Sequence, residues 1–301
     1  MNGYRVAIVG ATGLVGGEFI KVLEQRDFPV STMQLFASDR SAGKKLFYNH
    51  KEYEVKETSP DSFRDVDIAL FSAGADISRY FAPIAARAGA VVIDNSAAFR
   101  MEDDVPLVVP EINAEDIKTH KGIIANPNCS TIQMVVALNP LHKVNPIKRI
   151  IVTTFQSVSG TGSAAIDELT AQSKQILSAQ NVVPHVYPNQ IAFNVLPQID
   201  VFLDNAYTKE EWKMVEETRK IMHDDDILVS ATCVRVPVFI SHSEAVNVEF
   251  TNSISPDDAR RILAQAPGVR VLDDPAISLY PHPWMAAGTD DTFVGRIRRD
   301  V

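Results

Sequence analysis

The chain has 301 residues, a formal charge of −9 and 46% apolar side chains, enough for one large domain or two ordinary ones with a real core. The acidic balance argues against a generic nucleic-acid binder, which would present a basic face. No apolar run is long enough to span a bilayer, and no basic stretch followed by an apolar region precedes the first strand. Cys129 and Cys233 have no partners at metal-ligand spacing. The expectations are a reducing cytoplasm, no metal, no membrane and no nucleic acid.

Tyr4 to Val9 reads as a short apolar strand, and Gly10 opens a turn. Leu14 to Leu23 reads as a helix whose stripe is Leu14, Val15, Phe19, Ile20, Val22 and Leu23. Strands follow at 33–37, 67–71 and 90–93, with a helix over 77–88 before the last. This alternation predicts a Rossmann-type parallel sheet covered on both faces. A helix is predicted over 130–138, stopped before Pro140. Beyond it, strands at 149–154, 231–236 and 245–250 and helices at 163–178 and 209–223 predict a mixed α+β domain with an antiparallel component. The expected division is 1–127 for nucleotide binding and 128–301 for catalysis and dimerisation. Arg296, Arg298 and Arg299 alternate around Ile297 like a strand with one solvated side.

The stretch "GATGLVG" sets Gly10, Gly13 and Gly16 between the first strand and first helix, with Ala11, Thr12, Leu14 and Val15 among them. Glycines there permit a tight turn and let backbone approach a pyrophosphate, which the helix start attracts through its N–H groups. A glycine triplet alone is a weak signal; its strand–turn–helix setting makes it a dinucleotide site. At the end of the second strand, Asp39 would suit a ribose hydroxyl and NAD. Ser38, Arg40 and Ser41 surround it, and an arginine there accommodates the 2′-phosphate of NADP. NADP is the expected cofactor.

In "NPNCSTIQMVVAL" the turn Asn126-Pro127-Asn128 delivers Cys129 to a helix N-terminus. The helix dipole and unpaired N–H groups there favour a thiolate, and those groups could also receive an oxyanion. Cys233, inside the apolar "ATCVRVPV", reads as a core thiol instead. A thiol nucleophile in a dinucleotide enzyme attacks an acyl group or aldehyde, and hydride then moves to or from the adduct. That chemistry needs an acid/base, and His242 in "RVPVFISHSEAV", near Arg235, is the best-placed histidine. Thr208 and Glu211 form a capping-box pattern that starts a helix, placing Glu210 and Lys213 on one face. Trp212, Val215 and Met222 fall on the packing side; taken alone, Glu210 and Lys213 are a surface ion pair.

Six stretches in order, "GATGLVG", "ASDRSAGK", "NPNCSTIQ", "FQSVSGTG", "EEWK" and "RVPVFISHSEAV", make the chain similar to the bacterial aspartate-semialdehyde dehydrogenases. The resemblance implies NADPH-dependent reduction of L-4-aspartyl phosphate to aspartate 4-semialdehyde and phosphate, on the route to lysine, methionine and threonine. It implies Cys129 as nucleophile, His242 as acid/base and Gln156 as the residue orienting substrate beside the thiol. Arg235 would grip the substrate carboxylate, Lys213 and Arg100 its phosphate, with Glu210 and Asn128 completing the substrate contacts. Ser159 and Gly160 match a loop near the cofactor. A homodimer or homotetramer is implied. Family members continue past "FVGRIRRD" with a strand and a helix that contacts the cofactor, so weaker NADP binding and an exposed apolar patch are expected of a chain ending at Val301. The rival readings are an N-acetyl-glutamyl-phosphate reductase, which shares the two-domain plan, and an inactive NADP-binding homologue.

Overall fold

The computed structural model describes residues 3–300; Met1, Asn2 and Val301, on which the expectations about the chain ends bear, lie outside them. Two compact units are distinguished, one of residues 1–108 and 113–127, the other of 109–112 and 128–301.

The first unit contains β1 (Tyr4–Val9), α1 (Leu14–Gln25), β2 (Val30–Ala37), β3 (Lys45–Tyr48), β4 (Lys51–Glu57), β5 (Ile68–Phe71), α2 (Ala75–Arg87) and β6 (Val91–Asp94). The helical turn α3 (Pro110–Asn113), most of which falls in the second unit, comes next in the chain, and β7 (Ile123–Ala125) completes the sheet. Its order is β3-β4-β2-β1-β5-β6-β7, parallel except for the β3–β4 hairpin. The unbroken apolar run of β1 follows from burial on both faces. Ala7 and Val9 pack with Phe36, Phe63, Phe71 and Ala82, while Val6 and Ile8 pack with Leu35 and Ile20. Strand order reverses at β1, whose two neighbours are β2 and β5, so the glycine turn after β1 stands at the topological switch point. The expected apolar stripe of α1 is shorter than its sequence. Leu14 and Val15 are exposed, and Ile20 is its buried anchor.

The second unit contains α4 (Cys129–Val144), β8 (Ile147–Gln156), α5 (Ser163–Leu177), α6 (Lys209–Met222), β9 (Leu228–Arg235), β10 (Ser243–Phe250), α7 (Pro256–Leu263), β11 (Val269–Val271), α8 (Pro283–Ala286) and β12 (Thr292–Val294). β8 is the central strand, antiparallel to β10 and parallel to β9. The helix starting at Cys129 does not stop before Pro140 but runs on to Val144. Proline costs that helix one backbone donor and crowds the preceding turn. Here the residues around it, Leu138, Asn139 and Leu141, are buried, so packing holds the helix together. The expected strand around Ile297 is likewise absent. Arg296 has φ +57°, a left-handed conformation no strand contains. Its N–H and that of Ile297 donate to the Asp273 carboxylate instead of to a neighbouring strand.

Candidate active site

At the nucleotide end, two of the three glycines are required by close backbone approach. A Cβ on Gly10, whose φ is +86°, would lie 2.4 Å from the Ser72 carbonyl oxygen, and one on Gly16 would lie 2.3 Å from that of Gly10. Gly13 is different: its nearest such neighbour is 3.4 Å away, so its outer side is open. Gly13 is also the N-cap of α1, with no side chain capping that helix and no acid in its first turn. An uncapped, acid-free helix start beside an open glycine fits an anionic pyrophosphate. At the end of β2, Asp39 accepts the backbone N–H of Arg40, and Thr12 donates to Ser41 at 3.3 Å, tying the two loops together. Ser38 and Arg40 are exposed there.

The catalytic candidates Cys129, Gln156, Glu210, Lys213, Arg235 and His242 all belong to the second unit. Asn128 organises the thiol end. Its Oδ1 accepts the N–H groups of Ser130 and Thr131 at 3.0 and 3.3 Å, capping α4. The N–H of Ile132 is used by the Asn128 carbonyl. The N–H groups of Ser130, Thr131 and Ile132 are therefore already engaged and are not the donors for an oxyanion. Cys129, the first helical residue, is exposed.

The other atoms of Asn128 reach across to α6. Its Nδ2 donates to Glu210 Oε1 at 2.8 Å, and its backbone N–H donates to Glu217 Oε2 at 2.6 Å. Gln156, buried at the end of β8, donates to Ser130 Oγ at 2.7 Å and to Glu210 Oε1 at 3.3 Å. The other Glu210 oxygen meets Lys213 Nζ at 3.0 Å, and Lys213 also reaches Asp200 at 3.2 Å. This is no surface pair: Glu210 is buried and Lys213 mostly so. Burial pushes the Glu210 carboxyl up, but Lys213 and the Asn128 amide outweigh it and hold the group below its ordinary value. Burial likewise pushes Lys213 down, and Glu210 and then Asp200 more than reverse that. The pair is charged. The capping box of Thr208 and Glu211 starts α6 as expected.

Arg235 ends β9, buried, with Nη1 donating to the Ser157 carbonyl at 2.6 Å. Its guanidinium lies over the Tyr187 ring, 5.9 Å from the centroid. Its Nε is buried with no hydrogen-bond partner among the described residues, a cost a ligand oxygen would remove. His242 is half-buried. Its Nδ1 accepts the Ser157 N–H at 3.0 Å and lies 3.0 Å from Ser157 Oγ, which is itself 3.0 Å from Ser159 Oγ. Burial, then the Arg235 charge, lower the imidazole pKa to about 4. A Cβ on Gly160 would sit 3.2 Å from Arg235 Nη1 and 3.2 Å from His242 Cε1, so that glycine clears room beside both. Arg100 lies in the first unit, with Nε and Nη2 donating to the carbonyls of Ser96 and Asn95. Cys233 is a core thiol, against Met214 Sδ at 3.8 Å, and burial pushes it up to about 12.

A family model described as "Semialdehyde dehydrogenase, dimerisation domain" matches residues 138–301, and "Semialdehyde dehydrogenase, NAD binding domain" matches 5–120. The aspartate-semialdehyde dehydrogenase of Aquifex aeolicus is 58% identical over 99% of this chain and 89% of its own length. The chain belongs to the aspartate-semialdehyde dehydrogenase family. The Bacillus subtilis member is 50% identical over all of this chain and 89% of its own. A Vibrio cholerae aspartate semialdehyde dehydrogenase II, solved complexed with ASA, superimposes with a TM-score of 0.96 at 48% identity, covering 100% of this chain and 90% of that one. A Candida albicans enzyme solved with NADP gives 0.77 at 28%, covering 99% and 90%. Membership favours the semialdehyde dehydrogenase reading over the N-acetyl-glutamyl-phosphate reductase. Among the described residues no helix is long and apolar enough to cross a membrane. Sequence reasoning missed Asp200, Glu217 and Tyr187, which carry no motif signal, and Ser157 and Ser130, which stand inside "FQSVSGTG" and "NPNCSTIQ" but were given no role; all join the site through long-range contacts.

Proposed function

We propose that this chain reduces L-4-aspartyl phosphate to L-aspartate 4-semialdehyde with NADPH, through a thioester on Cys129. The observation that carries the reading is the buried Arg235 Nε without a partner, beside a neutral imidazole, in the unit whose α4 begins at the exposed Cys129 thiol. The Cys129 thiolate attacks the acyl carbon, the acyl C–O bond breaks, and phosphate leaves with the electron pair. Arg235 binds the α-carboxylate through parallel N–H bonds, which suits a planar guanidinium. Gln156, held by Ser130 and Glu210, orients the acyl group, with Asn128 and Glu210 as its support. Lys213, which uses two of its three protons on Asp200 and Glu210, directs the third to the phosphate, and Arg100 is the second phosphate ligand. Gly10, Gly13 and Gly16 with the start of α1 hold the pyrophosphate; Ser38, Arg40 and Ser41 take the 2′-phosphate, and Ser159 and Gly160 line the cofactor's edge. When bound, the reduced nicotinamide supplies a hydride to the thioester carbon. His242 protonates the resulting oxyanion; it then takes the hydroxyl proton back as the C–S bond breaks, which releases the aldehyde and restores the thiolate.

The residue division 1–127 and 128–301 into cofactor-binding and catalytic parts belongs to this reading, as does a cytoplasmic location. So does a homodimer or homotetramer. On the open face of β8, Ile151 and Phe155 are exposed, with Leu228 of β9 on the same face, an apolar sheet face suited to a second copy. Rapid mixing of Cys129→Ser with aspartyl phosphate tests the assignment: the phosphate burst disappears while NADPH still binds. Wild-type turnover in that variant overturns it. Assaying N-acetyl-glutamyl phosphate in parallel checks the substrate.

A further inference from the structure

His242 presents a chemical difficulty that its surroundings answer. A group whose pKa is about 4 is charged in roughly one molecule in a thousand near neutrality. The imidazole that meets the oxyanion is therefore neutral. Its Nδ1 accepts the Ser157 N–H at 3.0 Å, so its one proton sits on Nε2, the nitrogen beside the space that Gly160 leaves open. Giving that proton away would leave an imidazolate unless Nδ1 gains another at the same time. Arg235, on β9, and Glu210, on α6, are the charged groups acting on the ring. Neither gives it a proton, since Arg235 Nη1 donates to the Ser157 carbonyl and Glu210 is ionised.

We infer that Ser157 is a positioning residue for the acid step: its N–H sets the resting His242 tautomer, and its hydroxyl, which can turn from donor to acceptor, refills Nδ1. Ser157 Oγ lies 3.0 Å from Nδ1, and Ser159 Oγ lies 3.0 Å from Ser157 Oγ. Ser157 is fully buried and Ser159 half-buried, so the pair leads from the ring toward solvent. The step balances without net charge on the ring. The Nε2–H bond breaks as a proton joins the thiohemiacetal oxygen; Ser157 Oγ–H passes its proton to Nδ1; Ser159 Oγ–H refills Ser157, and a water refills Ser159, carrying the negative charge away as hydroxide. When the C–S bond breaks, Nε2 takes the hydroxyl proton and the chain runs backward. The same Ser157 holds Arg235 through its carbonyl at 2.6 Å, so one residue registers the acid against the carboxylate site.

This rests on His242 being the acid, so the test includes His242→Asn. Single-turnover reduction of the acyl-enzyme is followed in mixtures of H2O and D2O for the wild type, Ser157→Ala, Ser159→Ala and His242→Asn. Ser157→Ala keeps the backbone N–H and loses only the hydroxyl. Its rate is expected to fall about 10- to 100-fold with KM changed less than about two-fold, and the curved, multi-proton isotope dependence of the wild type is expected to become linear. Ser159→Ala, with a less buried site, is expected to show a smaller loss and a weaker curvature, since the Ser157 proton still moves. A wild-type rate in Ser157→Ala, or a slowed rate with the curvature kept, overturns the relay. If His242→Asn also reacts at the wild-type rate, the acid assignment itself falls; if only that variant is slow, the relay alone does.

Discussion

Asn128 Nδ2 donates to Glu210 Oε1 at 2.8 Å, joining the residue before the thiol to a carboxylate 82 positions later in the chain. Because Oδ1 of the same amide caps α4, both ends of one side chain are committed. The cap fixes where the helix starts and hence where Cys129 projects. The amide also supplies part of what keeps Glu210 ionised in its buried position. Position of the sulfur and charge of the carboxylate are thus set by one group.

Asparagine and aspartate are equally good N-caps in general, which makes Asn128→Asp a sharp test. Aspartate keeps the cap but puts a carboxylate oxygen where Nδ2 now donates to Glu210, with Glu217 at the backbone N–H beside it. Asn128→Asp is expected to lose about 3–5 kcal/mol at pH 7, the cost of an uncompensated buried charge. Asn128→Ala is expected to lose less, about 1–3 kcal/mol, from the cap and one buried hydrogen bond. Urea denaturation of both variants at pH 7 and again near pH 5 checks this. The gap between them narrows at the lower pH, where one of the carboxyls takes a proton.

The sequence announces Cys129 at a helix start because Asn-Pro-Asn is local turn chemistry, and β1 because both faces of a central parallel strand are apolar. It does not announce the Asn128–Glu210 contact, since a pairing across 82 residues depends on how α4 meets α6. Nor does it reveal that Lys213 and Glu210 are buried: their three-residue spacing is that of a surface pair. Pro140 misleads for a related reason, because buried Leu138 and Leu141 outweigh its lost donor. The β3–β4 hairpin escapes notice because its charged residues mask any alternation; Lys45 and Glu52 form an ion pair across it. Ser157 stands inside "FQSVSGTG", but nothing local singles it out among the serines there, since its partner His242 lies 85 residues on.

His242 is expected to titrate near pH 4, against an ordinary 6.5, in a nuclear magnetic resonance titration of its ring carbons. Burial is the larger cause and Arg235 the second, so Arg235→Met is expected to raise the midpoint without returning it to 6.5. The depressed value has a stability consequence. Above 6.5 neither folded nor unfolded chain holds the proton, and the folded state keeps its full stability. Between 6.5 and about 4 only the unfolded chain binds it, so stability falls with pH, by about 3 kcal/mol in all at 1.36 kcal/mol per unit. His242→Gln is expected to lose that slope.

Glu244 makes the opposite prediction. Burial pushes its carboxyl up to about 8, against the Gln133 amide that donates to it at 2.7 Å. Below pH 4.5 the proton is bound in both states. Between 4.5 and about 8 the folded chain holds a proton that the unfolded chain has released, so this group's contribution is lost as pH rises. Glu244→Gln has no proton to lose. It is expected to match wild-type stability at pH 4.5 and exceed it increasingly toward pH 8, a trend followed by denaturant midpoints across that range.

Gly160 separates space from backbone freedom. Its φ lies outside the left-handed range, so alanine meets no conformational penalty there. A Cβ would nevertheless stand 3.2 Å from Arg235 Nη1, 3.2 Å from His242 Cε1 and 3.3 Å from Nε2. These neighbours must yield by a few tenths of an ångström. Both are held by Ser157, which cannot move without disturbing the other contact. Gly160→Ala is expected to lower kcat/KM about 10-fold and Gly160→Val about 100-fold, the scale of loss for a small misplacement of reacting groups. Their unfolding midpoints stay within about 2 °C of wild type, since a half-open turn loses no core contact. Kinetics and thermal unfolding on the same preparations check both halves: full activity in Gly160→Val means the cleared space is not used by the reaction.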